Sequence, residues 1–120
     1  MLKAVAAVLA VVLLAGCSPK AVDESSWNGN TVEFDVTAKM FEFVPSELVV
    51  STGDKVIINA KSIDVTHGFA ILDYGVNEML NPGDSVRIEF IADKPGNFTF
   101  FCSVPCGSGH NTMQGKLIVK

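Results

Sequence analysis

The chain has 120 residues, 48% of them hydrophobic, a length that accommodates one small domain and argues against a second, catalytic one. The apolar excess sits at the start: 14 of the first 16 residues are hydrophobic, and the remaining 104 contain 44, close to a soluble domain. Without Lys3 that remainder carries eight basic against 13 acidic residues and no basic run, which disfavours nucleic acid and anionic lipid as partners.

A single Lys followed by an unbroken apolar run from Ala4 to Ala15 has the layout of a bacterial secretory signal. Twelve helical residues cover about 18 Å, short of a hydrocarbon core of about 30 Å, so a retained spanning helix is the weaker reading. The stretch Leu14-Ala15-Gly16-Cys17 resembles the lipobox of bacterial lipoproteins. That resemblance implies a signal over residues 1–16 and a lipid-bearing Cys17 that anchors the protein in the bacterial cell envelope, the domain facing the periplasm or outside. An ordinary signal with a chance cysteine is the alternative. Residues 17–30 are polar and aperiodic and are expected to form a lipidated tether. Trp27 is its one large apolar residue, either packed on the domain edge or exposed.

From Thr31 the pattern has period two: Val32, Phe34, Val36 and Ala38 alternate with polar residues, as Val86, Ile88 and Phe90 do later. Short apolar runs lie at 48–50, 56–58, 67–72, 98–101 and 117–119, separated by turn signals such as Asn81-Pro82-Gly83-Asp84 and Lys94-Pro95-Gly96-Asn97. No helical periodicity follows the leader. About seven strands in residues 31–120 predict an all-β domain, a two-sheet antiparallel sandwich or Greek-key barrel.

Between the last two apolar runs lies a C-x3-C-x3-H-x2-M string: Cys102, Cys106, His110 and Met113 within twelve positions. The other histidine, His67, stands 35 residues before Cys102. Thiolate, imidazole and thioether together favour copper. Three other readings stay open on the residues alone. A Cys102–Cys106 disulfide suits an oxidising compartment. A zinc site could use His67, Cys102, Cys106 and His110. A mononuclear blue-copper centre would leave one thiol spare and open to oxidation.

These residues resemble the binuclear CuA centre of cytochrome oxidase subunit II and of nitrous oxide reductase. The likeness runs from about Val36 to Lys120 and takes in Asp64-Val65-Thr66-His67 and the Pro95-Gly96-Asn97-Phe98 approach. It implies a cupredoxin-like Greek-key fold of seven to eight strands. Cys102 and Cys106 would bridge two copper ions, with His67 and His110 as terminal ligands and Met113 and the Val104 carbonyl completing the spheres. It further implies electron transfer, as a short oxidase subunit II or a free-standing carrier, between a donor such as a c-type cytochrome and an acceptor such as a haem-copper oxidase catalytic subunit. Such a chain performs no substrate chemistry by itself. A periplasmic protein that stores or delivers copper for oxidase assembly is the alternative. Val104 stands where many family members carry an acidic residue that helps to bind magnesium, and the domain proper lacks the Trp-rich aromatic cluster of many relatives; Phe41 and Phe43 read as core. His110 is expected at the exposed edge of the centre and His67 deeper.

Overall fold

The computed structural model describes residues 22–120; the leader, Cys17 and its lipobox lie outside the described residues. Nine strands follow in chain order: β1 (Thr31–Lys39), β2 (Glu42–Val44), β3 (Glu47–Val50), β4 (Lys55–Ser62), β5 (His67–Ile71), β6 (Val76–Leu80), β7 (Ser85–Ile91), β8 (Gly96–Phe101) and β9 (Gln114–Val119). Two 3₁₀ turns, Leu72–Tyr74 and His110–Thr112, are the only helical elements among the described residues, and no helix there is long and apolar enough to cross a membrane. One sheet has the order β2-β1-β4-β7 and the other β3-β9-β8-β5-β6. The expected all-β two-sheet architecture is therefore present.

Two details differ from the sequence reading. The sandwich is mixed, because β1 runs parallel to β4 and β3 parallel to β9. After β2 the chain crosses to the second sheet as β3 and returns as β4, so β1 and β4 meet in the same direction. Alternation reveals strands but not their direction. The second detail is two strands that no apolar run marks: β2, in which Phe43 alone is buried, and β6, whose burial is confined to Val76 and Leu80 while Met79 is 57% exposed. An edge strand with an outward polar face carries little hydrophobic signal.

The core lies between the sheets. Phe43, Phe69 and Phe100 form its centre, with ring centroids 5.1–5.5 Å apart, a spacing typical of favourable aromatic pairs. Gly115 is required beside them, since a Cβ there would lie 2.2 Å from the Phe100 ring. Tyr74 packs on Phe90 and Phe98 toward one end of the sandwich. The opposite end carries the β1–β2, β4–β5 and β8–β9 connections, and with them all the candidate ligands.

Candidate metal centre

Cys102, Cys106, His110 and Met113 lie on the β8–β9 connection, and both ends of that loop are pinned. Phe101 pairs with Gln114, and the Cys102 amide donates to the Met113 carbonyl at 3.0 Å. His67 arrives from the neighbouring strand as the first residue of β5 and is fully buried. The ligand atoms of His67, Cys102 and Cys106 all lie within 4.8 Å of one another. The donors form a string: His67 Nδ1 is 3.8 Å from Cys102 Sγ, the two sulfurs are 3.6 Å apart, and Cys106 Sγ is 3.6 Å from His110 Nδ1. Met113 Sδ lies 3.9 Å from Cys106 Sγ, and the Val104 carbonyl oxygen 3.1 Å from Cys102 Sγ. Cys102 and Met113 are buried, while Cys106 and His110 are half-buried. Both thiols are free.

The string accommodates soft metal ions. Metal–sulfur and metal–nitrogen bonds of about 2.0–2.3 Å let one ion join two donors up to about 4.5 Å apart, and each adjacent pair falls inside that span. The set of two thiols, two imidazoles and a thioether suits copper above zinc, because thioether is a soft, weak ligand.

Three features that sequence reasoning did not assign hold this arrangement. Asp64 is the first. Its Oδ1 accepts from His67 Nε2 at 2.7 Å and from the Val65 amide at 2.6 Å, and its Oδ2 accepts from the Met40 amide at 2.7 Å. Nε2 therefore carries the ring proton and Nδ1 presents its lone pair to the cluster, a common outer-shell arrangement for metal-binding imidazole. Burial alone would raise the Asp64 carboxyl, but the Met40 and Val65 amides and the His67 ring outweigh it and hold it below the usual carboxylate range. Asp64→Asn leaves one acceptor oxygen where two are needed. We expect about 10- to 100-fold weaker copper binding in chelator competition with the fold retained; unchanged affinity would show that the contact does not orient the ring.

Gly68 is the second: its amide donates to Cys102 Sγ at 3.4 Å, and its missing side chain leaves room for the Ser103–Val104 backbone. Phe41 is the third. Phe43 is core, as expected, but Phe41 is half-buried against the metal loop, where a Cβ on Gly109 would lie 2.3 Å from its ring. Gly107 and Gly109 leave the room that this ring occupies against the loop. His67 is the deeper imidazole and His110 the one nearer solvent.

Burial pushes the Cys106 thiol up to about 11, with the neighbouring Cys102 adding to the shift. A thiol must lose its proton to bind metal. Apparent Cu(I) affinity should therefore rise by at least about tenfold per pH unit between about pH 6 and 9, this thiol alone displacing one proton. Affinity that stays flat over that range would contradict the assignment of Cys106 as a ligand.

A small β-sandwich that gathers two thiols, two imidazoles and a thioether at one pole belongs to the class of soft-metal-binding β-domains. More narrowly, the chain belongs to the cupredoxin-like domain family, whose profile matches residues 6–119. It is 35% identical to nitrous-oxide reductase of Cupriavidus necator over 97 residues, 78% of this chain and 15% of that protein. It is 31% identical to cytochrome c oxidase subunit 2 of Thermus thermophilus over 85 residues, 71% of this chain and 63% of that protein. Among solved structures it resembles a chain of a heme-copper terminal oxidase dimer, with a TM-score of 0.73 and 33% identity over 78% of this chain and 66% of that one. The chain thus spans a minor part of the reductase and just under two thirds of the Thermus subunit.

Proposed function

We propose that this protein transfers single electrons through a binuclear CuA copper centre. The observation that carries the reading is the order of donors along the string: two sulfurs stand in the middle, and each has its own imidazole on the outer side, at 3.8 and 3.6 Å. One metal ion could engage His67, Cys102 and Cys106, whose ligand atoms lie within 4.8 Å of one another, but would leave His110 aside; two ions use all four. His67, Cys102, Cys106 and His110 would hold the pair, with Met113 and the Val104 carbonyl as weaker ligands. When bound, a copper pair held by both thiolates would supply one-electron redox chemistry with little change in each metal–ligand bond. The protein's part is to keep the donors still: β5, β8 and β9 fix both ends of the loop, and Asp64 fixes the His67 ring.

Homology to oxidase subunit 2 supports this role, with a c-type cytochrome as donor and a haem-copper oxidase catalytic subunit as acceptor. Cys17, lipidated, would hold the protein at an envelope membrane. The test is voltammetry of the copper-loaded protein. A reversible one-electron wave is expected; colourless Cu(I) binding without such a wave would favour copper delivery instead. Met113→Leu should keep the copper and shift the potential of the wave, because a weak axial ligand tunes potential more than affinity. An unmoved potential would remove Met113 from the ligand set.

A further inference from the structure

Asn77 lies on the edge strand β6, outside the ligand set, and its side chain reaches the metal loop. Phe69 and Ile71 of β5 point into the core, so Gly68 and Ala70 between them face outward. Ala70 pairs with Phe101 of β8 on one side and with Asn77 of β6 on the other, which puts Asn77 on the same outer face as Gly68. The metal loop leaves β8 after Phe101. Cys102 turns inward, and the next residue crosses the start of β5: a Cβ on Gly68 would lie 2.1 Å from Ser103 Oγ and 2.9 Å from the amide nitrogens of Ser103 and Val104. Beyond Gly68, the Ser103 hydroxyl donates to Asn77 Oδ1 at 2.7 Å.

This contact is the one hydrogen bond that ties the stretch Ser103-Val104-Pro105 to the sheet among the described residues. Other parts of the loop have their own fastenings: the Cys102 amide donates to the Met113 carbonyl, and turn bonds link Gly107 with His110 and Gly109 with Thr112. Val104 offers its backbone carbonyl to the site, 3.1 Å from Cys102 Sγ. A carbonyl has no side-chain torsion with which to adjust its aim, so its direction is set by the torsions of Ser103 and Val104. Gly68 bounds those torsions from below, and Asn77 holds them from the side.

Resting on the reading of the site as a CuA centre with the Val104 carbonyl as a weak ligand, we infer that Asn77 is a positioning residue that acts through the Ser103 hydroxyl to aim this carbonyl and thereby sets the redox potential. An oxygen donor favours the oxidised metal over the reduced one, and a weak axial ligand tunes potential more than affinity. Freeing the carbonyl to swing away therefore raises the potential. The substitutions Asn77→Ala and Ser103→Ala free it without changing charge or any ligand atom, and Asn77 is exposed and Ser103 half-buried, so the core is untouched.

The test has two arms, both on the otherwise unaltered chain. In the metal-free protein, NMR order parameters of the Ser103 and Val104 amides should stand near the rigid value of about 0.85 and fall toward about 0.6 in either variant; values that stay high in Asn77→Ala would overturn the positioning role. In the copper-loaded protein, voltammetry should show the potential raised by the same amount in Asn77→Ala and Ser103→Ala, and no further in the double variant, because the two side chains act through one contact. An unmoved potential, or shifts that add in the double variant, would overturn the inference. A parent protein that binds copper without forming a binuclear centre would sink the electron-transfer reading, while the order parameters still decide whether Asn77 holds the loop.

Discussion

Replacing either Cys102 or Cys106 by Ser should abolish the binuclear centre outright. Each sulfur lies between the other sulfur and one imidazole of the string, so losing either leaves the two halves unjoined. A serine hydroxyl is a hard, weakly acidic donor and does not replace a soft thiolate toward copper. The two variants should nevertheless differ. Cys102 is buried and receives the Gly68 amide, whereas Cys106 is half-buried on the loop. Cys102→Ser is therefore expected to lower thermal stability of the metal-free protein more than Cys106→Ser, by about 1–2 kcal/mol, through a buried hydroxyl in place of sulfur. Melting curves and copper titration check both statements; a delocalised two-copper spin signal in either variant would contradict the bridging role.

Gly68→Ala should damage the centre without touching a ligand. An added Cβ would lie 2.1 Å from Ser103 Oγ and 2.9 Å from the amide nitrogens of both Ser103 and Val104. The hydroxyl could rotate away, but the two nitrogens are backbone of the metal loop. That loop must move, carrying Cys102 on one side and the Val104 carbonyl on the other, and overpacking of this kind costs about 1–3 kcal/mol. Adding Ser103→Gly to Gly68→Ala removes the side-chain collision and leaves the backbone one, so it should not restore copper binding. Full copper loading of Gly68→Ala would show that the loop has slack which the geometry does not reveal.

The candidate ligands were legible because their chemistry is rare and their spacing dense. Cys102, Cys106, His110 and Met113 fall within twelve positions, and His67 is the only other histidine. What holds them was not legible. Asp64 stands three residues before His67 in a loop that has no period to show which way a side chain points, so its double duty to His67 and the Met40 amide emerges only from the fold. Phe41 reads as core by composition; that it underlies Gly107 and Gly109 depends on the meeting of loops far apart in the chain. Strand positions other than β2 and β6 followed from alternation and turn residues, whereas the parallel pairings of β1 with β4 and β3 with β9 follow from where the chain crosses between sheets, which alternation does not encode. Trp27 had no local signal at all, because the lysine that engages it is 28 positions away.

The most direct test of the central claim is electron paramagnetic resonance of the reduced-thiol protein reconstituted with copper and then oxidised, with metal content measured on the same sample. The proposed centre predicts about two coppers per chain, one for each thiol–imidazole pair of the string, and one unpaired electron shared between both nuclei. One copper per chain, or a spin localised on a single nucleus, would contradict it.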